Sequence, residues 1–145
     1  YNEVVGANSR LDELQAALLR VKLMHINELT GEKCKIADRY NKELKNPRIQ
    51  LPKVVEGATC VWHQYVITCE ERSRLIDYLN EKEIGTIIHY PIPPHLQECY
   101  KYLGHKVGDY PITEKLAKTV LSIPMYNGMT EDEQNYVIDA INAFQ

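Results

Sequence analysis

The sequence predicts an α+β fold, a long N-terminal helix followed by a short sheet with flanking helices. Three observations carry that reading. Apolar residues recur at helical spacing from Leu11 to about Leu44, the pattern then shifts to strand-like alternation between Cys60 and Cys69, and short helical and strand patterns take turns from there to the end.

The helical stretch places Leu11, Leu14, Leu18, Val21, Leu29, Ile36 and Tyr40 along one face, as one helix or as two joined near Gly31. Ser9 precedes Asp12 and Glu13, so its hydroxyl can cap the first free amides while the acids meet the positive end of the helix dipole. A start close to Arg10 is expected. Leu19, Leu23 and Ile26 form a second apolar face, and a helix that is apolar over much of its circumference packs against something on two sides.

Asn46-Pro47 stops this helix, and Ile49 to Val55, with Pro52 inside it, reads as an irregular or edge-strand connector. Cys60 to Cys69 is rich in Val, Ile, Thr, Trp and Tyr and reads as a central strand. On such a strand His63 and Tyr65 face one way and Trp62 and Gln64 the other. Arg72 to Glu83 is a short amphipathic helix ended by Gly85 as its C-cap, and Thr86, Ile87 and Ile88 form another strand, giving a strand-helix-strand unit. Tyr90-Pro91-Ile92-Pro93-Pro94 is neither helix nor central strand, since its three prolines fix φ and remove donors. It must be a stiff, shaped loop. His95 to Leu103 reads as a short helix closed by Gly104, Thr113 to Val120 as another, and Leu121 to Pro124 as a short strand. Thr130 with Glu133 is a capping box that opens a last helix through Tyr136, Val137, Ile141 and Phe144.

With 145 residues, 44% hydrophobic and 26% charged, the chain has the composition of an ordinary globular domain. A net charge of -3 gives no electrostatic footprint for nucleic acid or an anionic membrane. No apolar run of the roughly 18 residues a membrane span needs is present. Cys34, Cys60, Cys69 and Cys99 are scattered, with no CxxC pair and no zinc spacing, and read as reduced thiols of a cytoplasmic protein. The chain opens on Tyr1 in mid-pattern, as a piece of a longer protein would.

Two segments could carry chemistry. Gly6-Ala7-Asn8-Ser9-Arg10 is a small-residue turn leading into a helix, where Asn8, Arg10 and free amides could hold a phosphate. Plain helix capping, with Arg10 solvated, explains the same residues. Ile88-His89-Tyr90-Pro91-Ile92-Pro93-Pro94-His95 is the more unusual one: imidazole and aromatic groups flank a proline-locked turn at a strand end, where rigid loops present binding groups. The alternative is a tight turn whose histidines tie down backbone groups. A metal held by His89 and His95 lacks a nearby carboxylate or third histidine. His63 reads as a partly buried structural histidine, and His25 and His105 as structural or solvated.

Gly6-x-Asn8-Ser9-Arg10-Leu11-Asp12-Glu13-Leu14-Gln15-Ala16-Ala17, with Leu23, Ala37 and Tyr40 after it, resembles the start of the long interdomain helix of the DegT/DnrJ/StrS sugar-nucleotide aminotransferases. Trp62-His63-Gln64-Tyr65-Val66-Ile67, the loop from Gly85 to His95, and Leu121-Ser122-Ile123-Pro124-Met125-Tyr126 leading to Thr130-x-x-Glu133-Gln134-x-x-Val137-Ile138 resemble the remaining C-terminal landmarks, in order, over essentially the whole chain.

The resemblance implies the small C-terminal domain of a fold type I aminotransferase, with residues 1–45 as the interdomain helix and phosphate-corner turn, residues 46–145 as the small domain, and the large cofactor domain outside this chain. It implies pyridoxal 5'-phosphate as cofactor of the full-length protein, a homodimer with shared sites, and transfer of an amino group from glutamate to a nucleotide-linked keto-sugar in polysaccharide or surface-sugar biosynthesis. The Schiff-base lysine lies upstream, so this fragment alone is expected to be inactive. Asn8, with Arg10, is expected to reach the cofactor phosphate across the dimer, and His89, Tyr90 and His95 to border the sugar-nucleotide pocket. Ile84 to Gln97 most resembles enzymes acting on dTDP-3-keto-6-deoxyhexoses. Two alternatives stand beside this: a lysine-less member serving as dehydratase or regulator, and a non-catalytic dimerisation or binding module.

Overall fold

The structure, a computed structural model, describes residues 2–8 and 11–145. The long helical pattern folds as two helices, α1 (Glu13–Leu23) and α2 (Ile26–Glu43). The break falls at Met24 and His25, not near Gly31, which lies inside α2. There the amides of Met24 and His25 turn to Val21 O (3.2 Å) and Lys22 O (3.1 Å), three residues back, which ends the α-helical ladder. Asp12 is the cap of α1: its Oδ1 accepts from the Gln15 amide at 2.7 Å. The expected cap, Ser9, and the expected start, Arg10, lie outside the described residues.

α1 buries none of its residues, whereas α2 puts Ile36, Ala37 and Tyr40 into the core. After α2 the chain forms β1 (Ile49–Gln50), β2 (Tyr65–Cys69), α3 (Arg72–Glu81), two 3-10 turns (Pro94–Leu96 and Glu98–Leu103), α4 (Pro111–Thr119), β3 (Val120–Ile123) and α5 (Glu131–Ala143). The three strands make one antiparallel sheet in the order β1-β2-β3. Alternation along β2 buries Tyr65, Ile67 and Cys69 against α2, α3 and α5, and their β3 neighbours Leu121 and Ile123 complete that face.

Several expectations are corrected. The strand starts at Tyr65 and not at Cys60, because Trp62 takes a left-handed backbone (φ 48°) that breaks the alternation. Trp62 therefore lies on the same side as Tyr65, their rings stacked with centroids 5.3 Å apart, and His63 is exposed. Ile87 forms a single bridge to Ser122, beyond β3, in place of a full strand; the strand-helix-strand path exists with β3 between its ends. The left-handed residue ending α3 is Glu83 (φ 58°), not Gly85. Ile84 N–H reaches Leu79 O (2.9 Å) and Glu83 N–H reaches Asn80 O (2.9 Å), the paired bonds of a Schellman ending. Gly104 does close its helical turn, with φ 73°. The capping box of α5 is present, Glu133 N–H to Thr130 Oγ1 (3.2 Å) and Thr130 N–H to Glu133 Oε2 (2.8 Å).

Two buried polar links tie the ends of this core together. Tyr40 donates its hydroxyl to Pro124 O at 2.8 Å. Asn46, buried just past α2, donates from Nδ2 to Ile141 O, which also accepts from the Phe144 amide, and to Phe144 O, both at 2.7 Å, and so caps the end of α5.

Candidate functional site

One face of the sheet is filled by the core; the other carries the polar side chains. Val66 and Thr68 point to this second face, and register pairs Val66 with Ser122. Ser122 and Ile87 exchange both backbone bonds, Ile87 N–H to Ser122 O (3.1 Å) and Ser122 N–H to Ile87 O (2.8 Å). Two residues on, His89 projects over the same face. Its Nδ1 lies 2.9 Å from Ser122 Oγ, and its Nε2 lies 3.2 Å from Gln64 Nε2, just before β2. An amide nitrogen can only donate, so Nε2 is the accepting nitrogen and the ring hydrogen sits on Nδ1, donated to Ser122 Oγ. Both ring nitrogens are thus engaged by the protein. Tyr90 is 72% exposed, its ring 5.5 Å from that of His89.

His95 points elsewhere. Its Nε2 meets Glu114 Oε1 at 3.2 Å, with the two side chains 8% and 10% exposed. Glu114 also accepts from the amides of Gly108 (2.8 and 3.0 Å) and Tyr110 (3.3 Å). The Gly108 amide foremost, then those of Tyr110 and the His95 imidazole, hold the Glu114 carboxyl below its ordinary range. The Tyr110 ring packs 4.7 Å from that of His95, and His105 pairs with Asp109 at 3.4 Å. His95 therefore anchors the proline turn to the following loop. Gln97, buried, donates to Ile92 O (3.1 Å) and accepts from the Asn2 amide (3.0 Å), while Asn2 O accepts from the Cys99 amide (3.1 Å). The N-terminal segment is thereby fastened to the far side of the same turn.

Asn8 is exposed on that segment, and Arg10 lies outside the described residues. In the first turn of α1 the Gln15 amide is already taken by the Asp12 carboxylate. His89, Tyr90 and Ser122 are thus brought together with Gln64, while Asn8 and His95 stand apart from them. Among the described residues no cluster of three His, Cys, Asp or Glu is gathered around a point where a metal could sit. Nor is any described helix long and apolar enough to cross a membrane. Sequence reasoning missed Gln64, Ser122, Glu114 and Gln97. Strand alternation could have placed Gln64 with Val66, but its convergence with Ser122 depends on pairings between distant segments.

A sequence profile of the DegT/DnrJ/EryC1/StrS aminotransferase family matches residues 1–142. The chain belongs to that family. A pleiotropic regulatory protein of Geobacillus stearothermophilus is 42% identical over 147 residues, a match covering 99% of this chain and 40% of the relative. A dTDP-3-amino-3,6-dideoxy-alpha-D-galactopyranose transaminase of Aneurinibacillus thermoaerophilus is 40% identical over 139 residues, covering 96% of this chain and 38% of the relative. The solved structure of DesV from S. venezuelae in complex with a ketimine intermediate superposes with a TM-score of 0.88 at 36% identity, over 97% of this chain and 38% of that one. The fold is accordingly that of one part of a fold type I aminotransferase. The chain spans about two fifths of the length of the relatives it matches.

Proposed function

We propose that this chain is the C-terminal part of a transaminase that moves an amino group from glutamate to a nucleotide-linked keto-deoxysugar, a dTDP-3-keto-6-deoxyhexose, in polysaccharide or surface-sugar biosynthesis. The observation that carries the reading is the 40% identity, through 96% of the chain, to a transaminase named for a dTDP-3-amino sugar. In this reading residues 1–45 form the interdomain helix and phosphate corner and residues 46–145 the small domain. The large domain, with the Schiff-base lysine, is supplied by the rest of a cytoplasmic, homodimeric protein, and the chain by itself is inactive. α1, with no buried residue, supports such an arrangement, since Leu14, Leu18, Leu23 and the following Met24 are each at least 65% exposed.

Pyridoxal phosphate, when bound, supplies the carbonyl that takes up the amine and the ring that spreads the resulting charge. This chain's residues bind and orient. Asn8, an exposed carboxamide on a segment tied down through Asn2, suits a phosphate oxygen, with Arg10 beside it in sequence. His89, Tyr90 and His95 border the sugar nucleotide: Tyr90 offers an exposed ring and hydroxyl, His89 lies on the polar sheet face beside it, and His95 with Glu114 holds the turn that carries them. The prolines keep that turn pre-organised, so little entropy is lost on binding.

A second reading has its own observation, the 42% identity to a protein named as a pleiotropic regulator. It makes the full protein a lysine-less relative. Amine transfer by the full-length protein separates the two: glutamate formed from 2-oxoglutarate and a dTDP-3-amino-deoxyhexose supports the transaminase.

A further inference from the structure

His89 has no ring nitrogen left for a ligand, since Ser122 Oγ takes the Nδ1 hydrogen and Gln64 fills Nε2. The free valences of this network lie one residue further out. Gln64 uses one amide hydrogen on His89; its second amide hydrogen and its Oε1 have no partner among the described residues. Gln64 is half-buried, and no buried side-chain polar atom among the described residues is left without a bond, so the Oε1 of Gln64 is reached from the surface. That surface is the polar face of the sheet, beside the exposed Tyr90 ring.

We infer that Gln64 is the residue through which this face binds the sugar nucleotide, offering one N–H donor and one carbonyl acceptor, with His89 and Ser122 as positioning residues that fix the orientation of its carboxamide. The inference rests on the transaminase reading above. A carboxamide bonded from behind to an imidazole that a serine hydroxyl holds in place loses rotational freedom before the ligand arrives. The complementary ligand group carries a donor and an acceptor side by side. A hexose hydroxyl does so, and so does the imide edge of a thymine base.

The test uses the full-length protein with dTDP-3-amino-3,6-dideoxygalactose and 2-oxoglutarate as substrates and dTDP as competitive inhibitor. Parent protein that turns over no sugar nucleotide defeats the transaminase reading before any variant is made. Given an active parent, Gln64→Ala should raise KM about five- to 150-fold, the worth of two neutral hydrogen bonds, with the melting temperature close to the parent's. Gln64→Glu, which keeps the shape and removes the N–H donors, should lose binding in the same way. A Ki for dTDP that rises with KM assigns the contact to the base; a rise in KM alone assigns it to the sugar, and either outcome supports the inference. Ser122→Ala should weaken binding in the parent and add nothing in the Gln64→Ala background, because it acts only through that side chain. Parent-like KM and Ki in both Gln64 variants, or a fully additive Ser122 effect, would overturn it.

Discussion

Asn46 is the most exposed test of how the small domain is held together. Its buried side chain makes three hydrogen bonds, two from Nδ2 to Ile141 O and Phe144 O at 2.7 Å and one to Oδ1 from the Arg48 amide at 2.9 Å. It thereby joins the end of α2 to the end of α5. At about 1 kcal/mol for each bond, Asn46→Ala should cost about 3 kcal/mol, including the Phe144 carbonyl left without its Asn46 donor. For a domain of this size that corresponds to a fall of roughly 6 to 12 °C in melting temperature. Unfolding of the 145-residue chain can be followed through Trp62, its single tryptophan, which is buried in the same core. Asn46→Asp separates lost bonds from wrong ones. A carboxylate there would face two carbonyl oxygens with no donor between them, so at neutral pH it should be less stable than the alanine variant by about 1 to 3 kcal/mol. Such a carboxyl has its folded pKa raised above the unfolded value of about 3.9, so the protein regains stability as pH falls through the folded value. The aspartate variant should therefore approach or pass the alanine variant near pH 4.5. Equal melting temperatures for the two variants at both pH values would refute the account of this junction.

Two further outcomes follow from the site. In the full-length protein, His89→Ala should raise KM for the sugar nucleotide with little change in melting temperature, whereas His95→Ala should raise KM and also lower the melting temperature, because His95 is packed between Glu114 and Tyr110; parallel kinetics and thermal melts on both variants check this. The Glu114 carboxyl, held low by the Gly108 amide first, stabilises its loop above the unfolded glutamate value of about 4.3 and loses that contribution as pH falls through the lower folded value. Amide-exchange protection at Gly108 and Tyr110 should therefore fall on acidification below about pH 4, and Glu114→Gln should abolish the pH dependence.

Where the sequence could be read correctly, a short-range rule decided the structure. Thr130 and Glu133 form their capping box because both partners lie within one turn, and Gly104 closes its turn in the left-handed conformation only glycine adopts freely. The long helix misled because no residue at Met24-His25 is a helix breaker; the junction is a local change of hydrogen-bond partner, and Gly31, the expected weak point, costs only about 1 kcal/mol inside a helix. Glu83 and Trp62 misled in the other direction. Neither residue type signals a positive φ, yet the Schellman bonds fix the first, and the second is buried with its ring stacked on Tyr65. The proline-locked loop was legible as a shaped element. The roles of its two histidines were not, since His89 is claimed by Ser122 and Gln64 and His95 by Glu114, partners 19 to 33 positions away in sequence. Whether an imidazole faces a ligand or a neighbour is set by sheet register and loop packing, and a local pattern holds neither.

Amine transfer by the full-length protein tests the central claim most directly. Supplied with pyridoxal phosphate, dTDP-3-amino-3,6-dideoxygalactose and 2-oxoglutarate, it should form glutamate stoichiometrically with the keto-sugar, and lose that activity when its Schiff-base lysine is replaced. Absence of glutamate from a folded protein that retains the cofactor would contradict the account, as would an unchanged rate in the lysine variant.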